Sequence, residues 1–243
     1  MDVRPAQGFA HLGLAEVWLR TVDDAAWAEV CARAQRLGAT GLEVWTTDET
    51  PEVAAFLRAR GYEAVRSYAI SELELPSAPE PAPPAFPLTT LAERPDLERA
   101  LYEVALVAYP DQPGRTESQL STFEVWRGWS LAPHPPEACF IALEDGAVLG
   151  YGYLTVDGDA ATHGFTALAR AARGRGIAGA IKRAQIAWAR QNGIRTLRAA
   201  NELRLTQMLS LNRRLGYRVL YTEVVFRGRL QIPPTGFEPV LPA

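Results

Sequence analysis

The sequence predicts an α/β (α+β) chain in which strands alternate with helices, arranged as a partial unit followed by a complete one. Two observations carry this. Apolar residues switch repeatedly between the alternation of a strand and the three-to-four spacing of a helix along residues 15–229. One spacing also occurs twice: Gly38 to Gly61 and Gly193 to Gly216 are both 23 residues. Each first glycine ends a helix, and each second one ends the next helix and precedes a tyrosine, Tyr62 or Tyr217. At that constant offset of 155, Leu42 falls on Leu197 and Arg58 on Arg213.

Taken in order, residues 1–13 read as irregular and 15–19 (AEVWL) as a strand. Asp23 or Asp24 caps a helix running to about Leu37, with Trp27, Val30, Cys31, Ala34 and Leu37 on one face. Residues 41–45 are a short strand, and Thr50-Pro51 starts a helix that Gly61 ends. Residues 64–75 are strand. The proline-rich run 76–87 (PSAPEPAPPAFP) reads as a semi-rigid linker. The expected domains are thus a partial one over 1–75, a linker over 76–86 and a complete one over 87–229.

The complete unit opens with a strand near 86–91 and helices over 95–108 and 118–129. Asp145-Gly146 marks a hairpin between 139–143 and 148–156. A strand over 162–168, a helix over 176–191, a strand over 196–200, a helix over 203–215 and a last strand over 219–227 complete it. The tail 230–243 has four prolines and no periodicity, which predicts disorder. The partial unit has no room for the earlier elements, which are expected to be lost or encoded upstream.

Composition narrows the function. Net charge is −3, which gives no reason to expect nucleic acid or an anionic membrane as partner. Cys31 and Cys139 have no metal or redox spacing, and no metal site is expected. No apolar run is long enough to span a membrane, and the first residues form no signal peptide, so a cytoplasmic protein is expected.

Chemistry concentrates at residues 162–178, THGFTALARAARGRGIA. A strand feeding a glycine-rich turn at a helix N-terminus holds anions, because the first N–H groups lack partners and the helix dipole is positive there. Gly174 and Gly176 let backbone approach a bulky ligand. Between 170 and 200 lie eight basic residues and no acidic one: Arg170, Arg173, Arg175, Lys182, Arg183, Arg190, Arg195 and Arg198. Lys182 is the only lysine of the chain. At the 155 offset the partial unit carries Leu19 and Thr21 in place of the glycines, so it keeps the scaffold without the turn.

Arg173-Gly174-Arg175-Gly176-Ile177-Ala178, a strand-end Asn201, Met208-Leu209 with Asn212, and Leu215-Gly216-Tyr217 together resemble the GCN5-related N-acetyltransferase (GNAT) superfamily, over residues 88–229. The repeat makes the chain look like a tandem member with a degenerate, truncated first half. The resemblance implies a mixed sheet whose fourth and fifth strands splay apart around an acyl-CoA thioester. It implies acetyl-CoA as co-substrate, with Arg173, Gly174, Arg175, Gly176, Ile177 and Ala178 on its pyrophosphate. Leu168, Ala169 and Arg170 would pair with the pantetheine arm, and Asn201 and Asn212 would contact it, while Asn201 alternatively caps the following helix.

The implied reaction is direct attack of an amine on the thioester. Asn212 stands where many relatives have an acid tyrosine, and an amide has no titratable proton. His163 is the histidine near the gap, a candidate base or a structural residue on the face opposite Thr166, unless a bulge re-aims it. His134 is read as solvated and Tyr217 as core. Tyr109, Asp111 and Glu117 lie where the family builds its acceptor pocket. The expected function is N-acylation of a small-molecule or peptide amine; the alternative is a non-catalytic CoA-binding or assembly module. Packing of the partial unit on the second domain, or on another copy as a homodimer, would cover its edges.

Overall fold

The computed structural model describes residues 2–78 and 80–230. The expected disordered tail lies outside them, apart from Leu230, whose N–H donates to the Thr40 carbonyl at 2.9 Å.

Local signals place the first elements. After β1 (Val3–Pro5) and β2 (Leu14–Trp18), the Asp23 carboxylate accepts the Ala26 N–H at 2.7 Å and opens α1 (Asp24–Arg36). β3 (Gly41–Thr47), α2 (Pro51–Ala59) and β4 (Glu63–Glu74) follow. β1 falls in the stretch read as irregular; at three residues it is too short to show alternation. Next come β5 (Leu88–Thr90), α3 (Glu98–Ala108) and α4 (Phe123–Ser130). β6 (Phe140–Glu144) and β7 (Ala147–Asp157) turn through Asp145 and Gly146, both at positive φ, the pairing that suits hairpin twist. β8 (Ala160–Leu168), α5 (Ile177–Gln191), β9 (Thr196–Glu202), α6 (Thr206–Arg214) and β10 (Arg218–Arg229) complete the chain.

The repeat is visible in the elements themselves. An offset of 155 carries the bounds of β3 onto β9, of α2 onto α6 and of β4 onto β10 without a residue of error.

The chain divides into two compact units, Met1–Val65 with the described part of Glu223–Ala243, and Arg66–Thr222. The division falls inside β4 and β10, not in the proline-rich run, which lies within the larger unit between β4 and β5. The reason is strand pairing. A strand belongs to the sheet that satisfies its N–H and C=O groups, whatever its covalent neighbours. β4, from the first repeat, pairs antiparallel with β9 from Tyr68↔Glu202 to Glu74↔Thr196, inside the larger unit. β10, from the second repeat, pairs antiparallel with β3 from Glu223↔Thr47 to Arg229↔Gly41, inside the smaller one. The same offset of 155 converts one register into the other. Each unit therefore contains a last strand contributed by the other repeat.

In the smaller unit the strand order is β1-β2-β3-β10, with β2 and β3 parallel and the other pairs antiparallel. Trp27, Val30, Cys31 and Ala34 of α1 and Val53 and Leu57 of α2 pack with Leu42, Val44, Tyr62 and Phe226. Leu37, expected on that face, is exposed because the helix has already ended. The larger unit has the order β4-β9-β8-β7-β6-β5, parallel only between β8 and β9. Leu101, Val104, Trp126, Tyr151 and Ala167 pack together under α3 and α4. Ile177, Ile181, Ala142 and Ala172 form a cluster under α5, and Leu73 of β4 packs with Ile186, Leu197 and Tyr217.

Deleting residues 1–75 removes β4, exposing the β9 edge and the partners of Leu73. The fragment 76–230 is expected to be insoluble or to lose cooperative thermal unfolding by circular dichroism, whereas Leu73→Ala in the full chain lowers urea-unfolding stability by about 2–4 kcal/mol.

Candidate functional site

β8 ends at Leu168, whose side chain packs where a Cβ on Gly150 would sit, so glycine is required at 150. Ala169 donates its N–H to the Leu149 carbonyl at 2.9 Å, which fixes the exit of the strand. A short 3-10 turn over Arg170–Ala172 leads to Gly174 and Gly176, at φ 77° and 80°, and α5 begins at Ile177. A Cβ built on either glycine meets no atom within 4 Å. These glycines are required by backbone conformation and not by crowding, and the space in front of them is open. Among the described residues, the N–H groups of residues 174–179 donate to no backbone carbonyl; Ala180 is the first to do so, to Gly176 at 3.1 Å. Six successive donors without a backbone acceptor thus stand at the positive end of a helix, where an anion is favoured.

Three arginines flank the turn, each held by a carboxylate. Asp111 accepts from Arg170 at 2.9 and 2.7 Å and from Arg173 at 2.9 Å, and these guanidiniums hold its carboxyl well below the usual range. Glu144 accepts from Arg175 at 3.0 and 2.5 Å. Such exposed pairs are screened by solvent and exchange readily for another anion. Arg183 also stands by the helix start, its Nη1 3.4 Å from where a Cβ on Gly179 would sit, while three others of the basic group are engaged elsewhere. Arg198 pairs with Glu72, Arg190 reaches the Ala78 carbonyl, and Lys182 is buried.

Beside the turn, two strands part. β8 and β9 pair only from Ala160↔Thr196 to His163↔Ala199, although β8 continues to Leu168 and β9 to Glu202. Beyond His163, the β8 groups that point toward β9 have no strand partner. On its other side β8 shifts register against β7 between Leu154↔His163 and Gly152↔Thr166. Two residues, Gly164 and Phe165, oppose Tyr153 alone, and the Tyr153 ring fills the place of a Gly164 side chain. This bulge changes the face of His163. Strict alternation puts it opposite Thr166; the extra residue puts both on the α5 side, where each lies by Gln185.

His163 is 8% exposed and both its ring nitrogens are engaged. Nδ1 meets Oε1 of Gln185 at 2.8 Å and Nε2 meets the Tyr217 hydroxyl at 2.5 Å. Because Oε1 only accepts, Nδ1 carries the proton and Nε2 accepts from the phenol. Burial, then the nearby Lys182, drive its pKa well below the ordinary histidine value. Lys182 is 2% exposed, its pKa pushed down to about 7 by burial, and its Nζ stands 5.6 Å from the Tyr217 ring centroid. Sequence reasoning grouped Lys182 with phosphate-binding arginines; its placement among Ile181, Ala184 and Gln185 on the apolar face of α5 was the available signal.

Asn201 and Asn212 come together: Asn212 Nδ2 donates to Asn201 Oδ1 at 2.6 Å. Asn212 is 2% exposed, and its Oδ1 has no partner. Asn201 caps no helix, since α6 starts at Thr206 without a side-chain cap.

The residues expected to grip an acceptor do not form one cluster of free groups. Tyr109 is buried, with its hydroxyl accepting from Arg115 Nη1 at 2.9 Å and its ring against Phe165. Asp111 serves the arginines of the turn, and Glu117 is exposed between α3 and α4. His134, read as solvated, is half-buried and stacked on Tyr153 at 4.5 Å.

The smaller unit shows what the same scaffold looks like without a site. β2 pairs with β3 over its whole length, and at its end Trp18 stacks on Trp45 at 5.4 Å. Its α1 is capped by Asp23, which accepts the Ala26 N–H, and carries Asp24 in the first turn, so the helix start already holds negative charge that repels an anion.

Residues 98–217 match the acetyltransferase (GNAT) family. Among solved structures, a GCN5-related N-acetyltransferase from Sphaerobacter thermophilus is 20% identical, with TM-score 0.72, covering 95% of this chain and 76% of that one. A tandem GNAT protein from the clavulanic acid biosynthesis pathway is 20% identical, with TM-score 0.66, covering 91% and 76%. A GCN5-related N-acetyltransferase from Kribbella flavida is 16% identical, with TM-score 0.59, covering 88% and 80%. No curated protein matches the chain.

A lysine that binds its proton more weakly when folded costs the fold most while both states are protonated, at and below about pH 7, and the cost fades as pH rises from there toward the ordinary value near 10.4. Stability relative to Lys182→Met is therefore lowest at and below about pH 7. The difference closes by about 1.4 kcal/mol per pH unit as pH rises toward 9.5, measured by urea unfolding of both proteins at each pH.

Proposed function

We propose, from the membership of this chain in the GNAT superfamily, that it is an acyl-CoA-dependent N-acyltransferase with acetyl-CoA as donor and a small-molecule or peptide amine as acceptor. The observation that carries the reading is the row of six unpartnered N–H groups at residues 174–179, opening beside the parted ends of β8 and β9. Gly174 and Gly176 set that row, Ile177 anchors it in the core, and Ala178 keeps the first turn small. Arg170, Arg173 and Arg175 bring three guanidiniums whose carboxylate partners a phosphate would displace. The unpaired edge of β8 up to Leu168 supplies backbone groups for an extended pantetheine arm, with Asn201 and Asn212 across the gap.

When bound, the acyl donor supplies a thioester carbonyl open to attack by an amine. The residues orient it and exclude water. His163 acts as a wall of the gap and not as the base, because both ring nitrogens are already bonded and burial keeps it neutral. Asn212 holds Asn201 and presents an unpartnered carbonyl oxygen, which fits an N–H of the ligand. The smaller unit is a degenerate copy that lends β10 a partner and binds no acyl donor. The protein acts in the cytoplasm; among the described residues no helix is long and apolar enough to cross a membrane and no metal-ligating cluster is present. The second reading, a module that holds CoA without turnover, is favoured by one observation: neither Asn212 nor His163 is placed to move a proton.

Calorimetric titration with acetyl-CoA is expected to show one site per chain. Gly176→Ala forces a side chain into the left-handed region, at about 1–2 kcal/mol, and is expected to weaken that affinity about tenfold. No binding by the natural chain would sink both readings, and thiol release from acetyl-CoA with a panel of amines separates the enzyme from the module.

A further inference from the structure

The reading above gives the proline-rich run no task, yet the larger unit places its end at the glycine turn. Six prolines over residues 76–87 make a stiff segment. It follows α5 from its last turn to its start. Arg190 donates to the Ala78 carbonyl, and the Arg175 guanidinium lies over the Phe86 ring, 5.6 Å from its centroid. Phe86 and Leu88 also pack on Ile177 and Ile181, in one cluster with Leu168, Ala169 and Ala172 at the exit of β8. The end of the run is thus built into the core that carries the turn.

At that place an open cleft of about 590 Å³ is lined by Pro84, Phe86, Pro87, Leu88, Phe140 and Ala184. Its walls are apolar, and its rings are flat surfaces on which a planar group can stack. Its charged neighbour is Arg175, bound to the exposed Glu144, a carboxylate that an incoming phosphate can replace. Phe86 therefore faces both an apolar cleft and a guanidinium. A ligand that fits carries an aromatic ring and a phosphate close together. CoA has that pair at the end remote from its thiol, where the ribose joined to the pyrophosphate bears adenine and the 3′-phosphate. We propose that the cleft takes the adenine of CoA against Phe86 and that Arg175 binds the 3′-phosphate. This inference rests on the acyl-CoA reading.

An amine acceptor fits the cleft less well, because the charged group over Phe86 is itself a cation. The prolines add pre-organisation: a wall of fixed φ loses little freedom when a base is laid on it.

The test is calorimetric titration of the full-length protein with three probes. They are CoA, dephospho-CoA, which lacks the 3′-phosphate, and 4′-phosphopantetheine, which lacks the adenosine end and is followed by its displacement of CoA. Phe86→Leu keeps an apolar side chain in the cluster and removes the ring. It is expected to weaken CoA and dephospho-CoA alike by about tenfold and to leave 4′-phosphopantetheine within about twofold, while Phe86→Tyr keeps the natural affinities. Pro84→Gly, on the exposed wall of the cleft and outside the cluster, is expected to give a smaller loss confined to the same two ligands, and it serves if Phe86→Leu does not fold. The natural chain is expected to prefer CoA to dephospho-CoA by about tenfold, a preference that Arg175→Gln abolishes and Arg175→Lys largely keeps. Equal loss for all three probes in Phe86→Leu, or no loss, overturns the adenine site. An unchanged preference in Arg175→Gln overturns the 3′-phosphate contact. Both results leave the acyl-CoA reading standing. Absence of CoA binding by the natural chain overturns that reading, and this inference with it.

Discussion

Six backbone N–H groups without acceptors, in residues 174–179, are the constraint on which the rest of the larger unit depends. Left to water alone they give up the anion that the helix end favours; filled by a side chain they close the site. The smaller unit takes the second course. Asp23 caps its helix, β2 and β3 stay zipped, and Trp18 on Trp45 finishes the sheet where the larger unit opens. In the larger unit the glycines leave the donors bare, and the bulge at Gly164 lets β8 leave β9 while its side chains re-sort onto the two cores.

That opening asks for mechanical support, and the reciprocal exchange of last strands provides it. β9 loses β8 as a partner after Ala199 but keeps β4 along its whole length on the other edge. A strand held by seven pairs on one side tolerates a gap on the other. The degenerate repeat is thus tied to the site by structure and not by chemistry: without it β9 would face solvent on one edge and a cleft on the other.

Much of this was legible in the sequence, for identifiable reasons. Element order followed from periodicity, glycine stops and caps, and the offset of 155 foretold the bounds of three element pairs. The glycine turn was legible because left-handed backbone at an open helix start demands glycine at 174 and 176. The strand exchange was not, because composition marks covalent breaks such as the proline run and says nothing about which sheet a strand joins. The face of His163 was misread because one inserted residue inverts alternation, and only the pairing of β7 with β8 reveals the insertion. Lys182 was misassigned because charge alone suggests a surface, while its position on the apolar stripe of α5 decides its burial.

The central claim is that an acyl donor's pyrophosphate fills the donors of residues 174–179 and leaves the equivalent helix start of the first repeat untouched. Hydrogen–deuterium exchange with and without saturating CoA tests it most directly. Slowed exchange at peptides spanning the 174–179 turn and the facing β8 and β9 edges is the predicted result. Slowing at Asp24–Arg36, or none at the turn, would contradict it.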